Sequence, residues 1–506
     1  MNRDGARKSV WQDQIRSFSV ITPQLATFDV VIVGGGITGV STALALQKAG
    51  KKCLLVEAAN IAFGTSGGTT AHLNDFFDTS FAQAIKNFGL EKAKLFAAAG
   101  KDAMAVINNN IDDYGIRCDF EEKNAQLFAL DDKQAHELDE MVKAAAQVHY
   151  QMKYISSINF PIPFKKAVEI SRQAQFHPLK YIKALAEEYM NLGGVIFEGC
   201  ICREHNEKDG SVIVETSNGT FTAQQLVYAT HIPPGINKLH FTNAPYRSYV
   251  LACTLNDENY PDVLGYDLQD PYHYYRTHTV NGKKLLIAGG EDHKTGHADN
   301  TGECFSNLEN YVRSHYNVDK VMYSWSSQYY EPVDGFPYIG VLPGSNRNVF
   351  VATGFRGNGM MFGSLSSKII SDLILQGSSS YEELFSPARI KPVAGFTQFV
   401  KEQTTVVTDF IKDKFFSERI ESFAAVDPGN AKVVKYENEN YAVYKEVNGK
   451  THILKSTCPH AKCEVRWNSA EISWDCPCHG SRFNVNGKLL TAPAVNGLQK
   501  INEDKL

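Results

Sequence analysis

Residues 29–39 have the sequence Asp-Val-Val-Ile-Val-Gly-Gly-Gly-Ile-Thr-Gly. An apolar, β-branched run that ends in glycines predicts a buried strand followed by a tight turn. Apolar residues at helical spacing over 40–49 predict a helix, and 51–57 predicts a second strand. The segment therefore predicts a βαβ unit, the start of a parallel sheet covered by helices.

The glycines of this unit indicate a dinucleotide ligand. Gly34, Gly36 and Gly39 have G-x-G-x-x-G spacing, in which the first permits the turn, the second admits a pyrophosphate, and the third allows close helix packing. Glu57 would accept hydrogen bonds from the adenosine ribose. The alternative is a glycine-rich turn without a ligand. The residues predicted to bind the cofactor here are Gly34, Gly36, Ile37, Thr38, Gly39 and Glu57.

Length and composition indicate a multidomain globular enzyme, with 506 residues, of which 43% are hydrophobic and 21% charged. The net charge of -5 gives no basic surface for nucleic acid, so DNA and RNA are not expected partners. Residues 1–28 form an N-terminal extension without a secretory pattern, which predicts a cytoplasmic protein. The uncharged run 30–47 is too rich in glycine and hydroxyl residues to predict an integral membrane segment.

Residues 80–148 are predicted to be largely helical. Three strands are predicted next, at 194–202, 211–216 and 220–229, with a hairpin turn at Asn218-Gly219. They resemble the meander that leads back into a flavin-binding sheet.

Two later motifs are Asp334-Gly-Phe-Pro-Tyr-Ile-Gly and Ala352-Thr-Gly-Phe-Arg-Gly-Asn-Gly-Met-Met. With them, residues 29–385 resemble the D-amino-acid oxidase and glycine oxidase class of FAD-dependent enzymes. The resemblance implies an α/β, Rossmann-like FAD-binding domain of the glutathione-reductase type, with an antiparallel-sheet substrate subdomain, over 29–390. It also implies a helix N-terminus facing the flavin pyrimidine ring, which suits the charge of reduced flavin, so FAD is expected rather than NAD. The residues assigned to this motif are Gly354, Gly357, Asn358, Gly359 and Met360.

Residues 65–72, Thr-Ser-Gly-Gly-Thr-Thr-Ala-His, resemble the segment of dimethylglycine and sarcosine dehydrogenases that carries a flavin-linked histidine. The resemblance places Thr65, Ser66 and Thr70 beside the flavin. His72 has three open roles: a covalent 8α-histidyl attachment point, an acid or base in the pocket, or a hydrogen-bonded histidine under the flavin.

The resemblance implies an amine or amino-acid substrate, which loses a hydride to the flavin and gives an imine that water hydrolyses. Glycine oxidase-type enzymes place a carboxylate-binding arginine before the Asp-Gly-x-Pro segment, but residues 327–334 contain no arginine. Arg276 and Arg356 are the candidates to replace it, and each could equally be structural.

A helical linker is predicted over 391–425, from apolar residues at helical spacing between Pro387 and Phe416.

Four cysteines, Cys458, Cys463, Cys476 and Cys478, lie close together in the sequence, with two histidines among them. Cys458-Pro-His460 and Cys476-Pro-Cys-His479 can bring four ligands from two loops around one centre, which indicates a metal site or a local disulfide. Zinc is one alternative, since two cysteines and two histidines suit tetrahedral coordination.

The C-x-H and C-x-x-H pair resembles the Rieske motif, which implies that Cys458 and Cys476 bind one iron of a [2Fe–2S] cluster and His460 and His479 the other. The resemblance also implies a disulfide between Cys463 and Cys478. It covers a small all-β domain over 426–506, with strands predicted at 431–436, 441–447 and 450–455 and a proline loop at 487–493.

Two residues depart from the Rieske pattern. Lys462 stands where many members have glycine, and Phe483 stands where high-potential members have a tyrosine hydroxyl. Loss of such a hydroxyl lowers the potential of the cluster; Ser481 could still donate a hydrogen bond there.

The two halves together predict a flavin dehydrogenase that passes electrons one at a time to its own cluster. The alternatives are a reductase that takes electrons from an external donor through the cluster to FAD, and a redox sensor or binding module. Expected partners are a small-molecule amine substrate and an external redox protein or acceptor.

Overall fold

The computed structural model describes residues 5–12, 18, 26–298, 300–389 and 418–501. Residues 391–417, which are most of the predicted helical linker, lie outside the described residues. No helix within the described ranges is long and apolar enough to cross a membrane.

Strands and helices alternate through the N-terminal two-thirds of the chain. Its first elements are β1 (Thr27–Val33), α1 (Ile37–Lys48), β2 (Cys53–Val56), α2 (Thr65–Gly68), β3 (His72–Leu73), α3 (Phe81–Phe88), α4 (Leu90–Tyr114), β4 (Glu121–Ala129), α5 (Asp132–Gln147), β5 (Lys153–Ile155), β6 (Lys166–Gln175), α6 (Pro178–Asn191), β7 (Val195–Phe197), β8 (Cys202–Lys208), β9 (Ser211–Thr216) and β10 (Gly219–Tyr228).

Long antiparallel strands dominate the next part. Its elements are a 3-10 turn (Lys238–Phe241), β11 (Asn243–Leu255), β12 (Leu264–Asp267), β13 (Tyr274–Val280), β14 (Lys283–Lys294), α7 (Thr301–His315), β15 (Val318–Pro332), β16 (Tyr338–Val341), β17 (Val349–Thr353), α8 (Gly359–Gln376) and α9 (Glu382–Phe385).

The C-terminal part is built from short strands. They are β18 (Glu418–Arg419), β19 (Ala431–Tyr436), β20 (Glu439–Lys445), β21 (Thr451–Lys455), β22 (Arg466–Asn468), β23 (Ser473–Asp475), β24 (Arg482–Asn484) and β25 (Leu489–Thr491), with a 3-10 turn at Phe423–Ala425.

The first sheet has the order β16-β17-β10-β1-β2-β7; in addition, β9 pairs with β10, and β8 pairs with β9. Strand β1 lies parallel to β2 and β10, which confirms the predicted βαβ unit. Val30, Val31 and Ile32 are fully buried, as expected for a parallel strand covered on both faces.

The second sheet has the order β15-β11-β14-β13-β12-β4-β6-β3, with β5 on β6. Its neighbours are antiparallel except for β12 and β4, which confirms a mainly antiparallel second sheet. This sheet supplies much of the wall of the cavity described below.

The helical prediction for 80–148 is wrong at β4, which interrupts it. Residues 121–124 are polar, whereas 125–129 are buried because β4 pairs with both β12 and β6. The strand predicted at 194–202 is too long: β7 ends at Phe197 and pairs with β2, and the next strand, β8, begins only at Cys202 and pairs with β9.

The C-terminal strands form two four-stranded sheets, β18-β19-β20-β21 and β22-β23-β24-β25. The helical prediction is wrong for 418–425, where the structure has β18 and the 3-10 turn. Ile420 and Phe423 are buried with Val434 and Val443 of the next strands, so this segment packs as part of the C-terminal domain.

Residues 5–12 of the N-terminal extension contact both domains. Trp11 is 1% exposed and its Nε1 donates to Thr69 O at 2.7 Å. The backbone N–H of Ala6 donates to Glu471 O at 3.0 Å, so the segment joins the first domain to the C-terminal one.

Candidate functional site

A cavity of about 560 Å³ is lined by residues of both large sheets and by 488–492 and 494 of the C-terminal domain. Most of the residues predicted to bind the dinucleotide line it. They are Gly34, Gly36, Ile37, Thr38, Glu57, Thr65, Ser66, Thr70, Gly357, Asn358, Gly359 and Met360.

The glycine turn and Glu57 form one end of this cavity. Gly34 has a φ of +109°, and a Cβ there would lie 2.4 Å from Ala229 O, so only glycine fits. Glu57 Oε2 accepts from Gly35 N at 2.6 Å, and its Oε1 accepts from Ala59 N at 2.7 Å. These bonds fix the carboxylate at the cavity wall, where its remaining lone pairs can accept from a ribose.

Two glycines assigned to the cofactor, Gly39 and Gly354, are not among the residues that line the cavity. A Cβ on Gly39 would lie 1.8 Å from Gly34 O, so this residue permits the close packing of α1 that its spacing predicted. Gly354 has a φ of +76°, and a Cβ there would lie 2.6 Å from Asn243 Oδ1. Its role is therefore conformational.

The N-terminus of α8 forms another part of the cavity wall. Asn358 precedes the first turn, and its Oδ1 accepts from Asp78 N at 3.0 Å. Gly357 N donates to Asp78 Oδ2 at 2.7 Å. This carboxylate was not predicted from the sequence, because 280 residues of chain lie between it and the motif that it contacts.

His72 lines the cavity, and both of its ring nitrogens have protein partners. Its Nε2 donates to the carbonyl oxygen of Tyr275 at 3.1 Å, so Nδ1 accepts from the Thr70 hydroxyl at 3.0 Å. Burial, together with the charge of Arg276, lowers the pKa of His72 to about 3. This geometry favours a neutral, hydrogen-bonded histidine; the covalent and acid–base roles stay predictions.

The two arginines proposed for a substrate carboxylate are both engaged elsewhere. Arg276 does not line the cavity; its Nη1 donates to Thr70 O at 2.6 Å and to Ala71 O at 2.9 Å. Arg356 does line the cavity, but its Nη2 lies 3.2 Å from Glu331 Oε1. A carboxylate-binding role for Arg276 is therefore not supported by its position, and Arg356 already has a carboxylate partner.

The second site lies in the two loops that carry the clustered cysteines and histidines. The interaction between the buried Cys458 and Cys476 thiols lowers the pKa of Cys458 and raises that of Cys476. His460 Nδ1 and His479 Nδ1 are buried and have no hydrogen-bond partner among the described residues. This set of two neighbouring thiols and two unpartnered imidazole nitrogens fits a [2Fe–2S] cluster with two cysteine and two histidine ligands.

A disulfide joins Cys463 and Cys478, as the resemblance implied. The sulfurs of Cys463, Cys476 and Cys478 lie within 4.8 Å of one another, but the two disulfide sulfurs are not available as thiolate ligands. The bridge therefore ties the two ligand loops together.

Three residues near the clustered cysteines and histidines bear on the departures from the Rieske pattern. The Ser481 side chain helps to lower the pKa of Cys458, while Phe483 is fully buried among the cysteines and brings no hydroxyl. Lys462 has a φ of +63°, a conformation that explains why glycine is common at this position.

The cavity and the cluster loops are in direct contact. Gln328 lines the cavity, and its Nε2 donates to Gly480 O at 2.9 Å. The Tyr330 hydroxyl donates to His479 O at 3.0 Å. At Gln328, therefore, one side chain of β15 contacts both the cavity and a cluster loop.

The imidazole edge of the cluster site is covered by the first domain. His460 Nε2 donates to Gly235 O at 3.0 Å, and the His240 ring lies 4.6 Å from the His460 ring. The Phe241 ring lies 5.6 Å from that of His479. His460 and His479 are consequently only 8% and 3% exposed.

Comparisons with known proteins assign both halves of the chain. Residues 29–373 match the family model of FAD dependent oxidoreductases, and residues 419–502 match that of the Rieske [2Fe-2S] domain. The chain belongs to the FAD-dependent oxidoreductases. Its first domain binds FAD and its C-terminal Rieske domain binds a [2Fe–2S] cluster, so the zinc alternative is wrong.

Similar proteins include one that combines both halves. A Bacillus subtilis (strain 168) protein named for a Rieske 2Fe-2S iron-sulfur function, YhfW, is 31% identical over 478 residues, 94% of each chain. The gamma-glutamylputrescine oxidoreductase of Escherichia coli (strain K12) is 24% identical over 388 residues, 73% of this chain and 88% of the relative. Glycine oxidase from Geobacillus kaustophilus has the same fold, with a TM-score of 0.60 and 17% identity over 72% of this chain and 100% of its own.

Proposed function

We propose that the protein oxidises an amine or amino-acid-like substrate with its FAD and passes the electrons one at a time to its own Rieske cluster. The observation that carries the proposal is the position of Gln328, which lines the flavin cavity and hydrogen-bonds the cluster loop at Gly480. One side chain shared by both sites provides a short electron path within the chain.

Bound FAD accepts two electrons together from a substrate, whereas a [2Fe–2S] cluster carries one at a time. The chain would hold the cluster with Cys458 and Cys476 on one iron and the Nδ1 atoms of His460 and His479 on the other. The FAD would lie along the cavity between Glu57 and the N-terminus of α8, with residues 488–494 of the Rieske domain limiting the access of water.

The names of two relatives support an amine-bearing substrate. Glycine and gamma-glutamylputrescine both carry an amine nitrogen beside a C–H bond. Oxidation of such a CH–NH group removes two electrons and two protons and leaves a C=N bond. Water then hydrolyses this bond to a carbonyl compound and a free amine.

The direction of electron flow is part of the proposal. The cluster edge formed by His460 and His479 faces the flavin domain, which suits electrons arriving from FAD before an external acceptor takes them. An external donor that feeds electrons through the cluster to FAD would use the same contacts in reverse, and a redox sensor would use them without turnover.

Anaerobic titration of the holoenzyme tests the direction. Candidate amines are added to one set of samples, and reduced ferredoxin or NAD(P)H to another, while flavin absorbance and the EPR signal of the reduced cluster are followed. An amine that bleaches the flavin and produces the EPR signal supports the proposal. Reduction of both centres by the external donors alone would establish the reductase direction instead.

A further inference from the structure

Four tyrosines form one face of the flavin cavity. Tyr266 lies on β12 directly opposite Tyr274 on β13, the Tyr272 and Tyr274 ring centroids are 5.7 Å apart, and Tyr329 lies on β15. Gly289 leaves room for this face, because a Cβ there would lie 2.1 Å from Tyr274 Cζ.

Two unpartnered acceptor atoms belong to this face. Asp292 Oδ2 accepts from the Tyr329 hydroxyl at 2.8 Å, but its Oδ1 is buried without a hydrogen-bond partner among the described residues. Asn74 donates to the Tyr266 hydroxyl at 2.5 Å, and its Oδ1 is also buried without a partner there. Buried acceptors without partners are costly, so both atoms favour a ligand that donates N–H bonds.

The charges nearby also favour a cation. Among the described residues that line the cavity, Arg356 is the one arginine and Lys488 the one lysine. Lys488 belongs to the C-terminal Rieske domain. Arg356 is held by Glu331, and the negative charge of Asp78 acts on it as well. Its Nε has no partner in the described structure, yet its guanidinium is fixed at Glu331 and Thr79. The carboxylates of Asp78, Asp292 and Glu331 therefore outnumber the single arginine, Arg356, at the tyrosine-lined end of the cavity.

We propose that this end of the cavity binds the substrate as an organic ammonium without a neighbouring carboxylate. Asp292 Oδ1 and Asn74 Oδ1 accept its N–H bonds, and the rings of Tyr266, Tyr272 and Tyr274 pack on its alkyl groups. Tyrosine faces attract cations as well as apolar groups, whereas a carboxylate beside the nitrogen would meet Asp292 and a pre-paired Arg356. The inference rests on the proposed function, because it takes this cavity to be the substrate site of an amine-oxidising enzyme.

Three ligands of one shape test this assignment in oxidised holoenzyme. tert-Butylammonium has N–H donors but no C–H bond beside its nitrogen, so it cannot be oxidised; pivalate and tert-butanol replace its charge with a negative or a neutral group. Binding is measured from the perturbation of the flavin absorbance. We expect tert-butylammonium to bind at least about tenfold more tightly than the other two. Equal or tighter binding of pivalate would overturn the proposal without depending on any variant.

The variant Asp292→Asn should weaken tert-butylammonium binding at least about tenfold and leave tert-butanol binding unchanged. Asp319→Asn is the matched control, because Asp319 is exposed on the same strand as Tyr329 and accepts from Thr254. Unchanged ammonium binding in Asp292→Asn would also overturn the proposal.

A separate anaerobic mixture with isopropylammonium, which does have a C–H bond beside nitrogen, distinguishes this inference from the proposed function. If the protein prefers tert-butylammonium but no amine reduces the flavin, the proposed function is contradicted and the ammonium site is supported. If amino acids reduce the flavin and pivalate binds more tightly than tert-butylammonium, the proposed function is supported and the ammonium site is contradicted.

Discussion

Gln328 Nε2 donates a 2.9 Å hydrogen bond to the backbone carbonyl oxygen of Gly480, and the same side chain lines the cavity in which we propose that FAD binds. Gly480 directly follows His479, one of the proposed cluster ligands. This contact between two distant parts of the chain makes the flavin and cluster sites one unit.

Replacing Gln328 with leucine should slow electron transfer from flavin to cluster. The Gly480 carbonyl would lose its donor, and an unpaired buried acceptor costs about 1–3 kcal/mol, enough to weaken domain docking about tenfold. Rapid mixing should show flavin reduction at the normal rate and slower cluster reduction. The control variant Gln224→Leu, at an exposed position of β10, should leave both rates unchanged. Cluster reduction in Gln328→Leu at the wild-type rate would contradict an electron path that depends on Gln328.

Gly480→Ala should separate the domains by steric conflict. A Cβ at Gly480 would lie 2.7 Å from Gln328 Nε2, 2.8 Å from Pro245 Cβ and 2.9 Å from the Tyr330 hydroxyl. Gly449→Ala is the control, since Gly449 also has a positive φ but no atom within 4 Å of the added Cβ. Both variants should lose some stability in denaturant unfolding, but only Gly480→Ala should slow cluster reduction.

Binding of tert-butylammonium should strengthen as the pH rises through about 7. Burial is the main cause that raises the pKa of Asp292 to about 7. The negative charges of Asp78 and Glu331 raise this pKa further, while the hydrogen bond that Oδ2 accepts from Tyr329 lowers it. Only the ionised carboxylate attracts the cation, so affinity should fall about tenfold for each pH unit below that value. Titrations from about pH 5 to about pH 9, where an alkylammonium stays charged, check this. Affinity that does not vary with pH, or the same variation in Asp292→Asn, would be inconsistent with the assignment.

The Cys463–Cys478 disulfide should stabilise the cluster loops. It closes a loop with a sequence separation of 15 residues, for which about 3 kcal/mol is expected. The double variant Cys463→Ser/Cys478→Ser should therefore lose the visible bands of the cluster at lower denaturant concentration than wild type. Cys253→Ala, at a buried free cysteine far along the chain, controls for loss of a buried thiol. Ready alkylation of Cys463 and Cys478 in unreduced holoenzyme would show that the bridge is absent.

The local motifs could be predicted from the sequence because each is specified by nearby residues. Gly34 and Gly39 are required by backbone geometry within one βαβ unit, and Cys458 with His460, like Cys476 with His479, lies in one short loop. Such constraints leave a spacing that can be recognised without knowledge of the fold.

The substrate wall and the domain contact could not be predicted, because they depend on long-range strand order. Tyr266, Tyr274 and Asp292 meet only because β12, β13 and β14 are neighbours in the second sheet. Each tyrosine alone resembles an ordinary strand residue. The partners of Arg276 could not be predicted for the same reason, since they are the backbone carbonyl groups of residues 70, 71 and 176.

Electron transfer within one chain is tested most directly by anaerobic rapid mixing of the holoenzyme with an amine that reduces it. The account predicts flavin bleaching first, followed by reduction of the cluster in a second phase whose rate does not depend on protein concentration. In His479→Leu the first phase should remain, because His479 does not line the flavin cavity, and the second should disappear. A second phase that accelerates in proportion to protein concentration, or a cluster that stays oxidised while the flavin is fully reduced, would contradict the account.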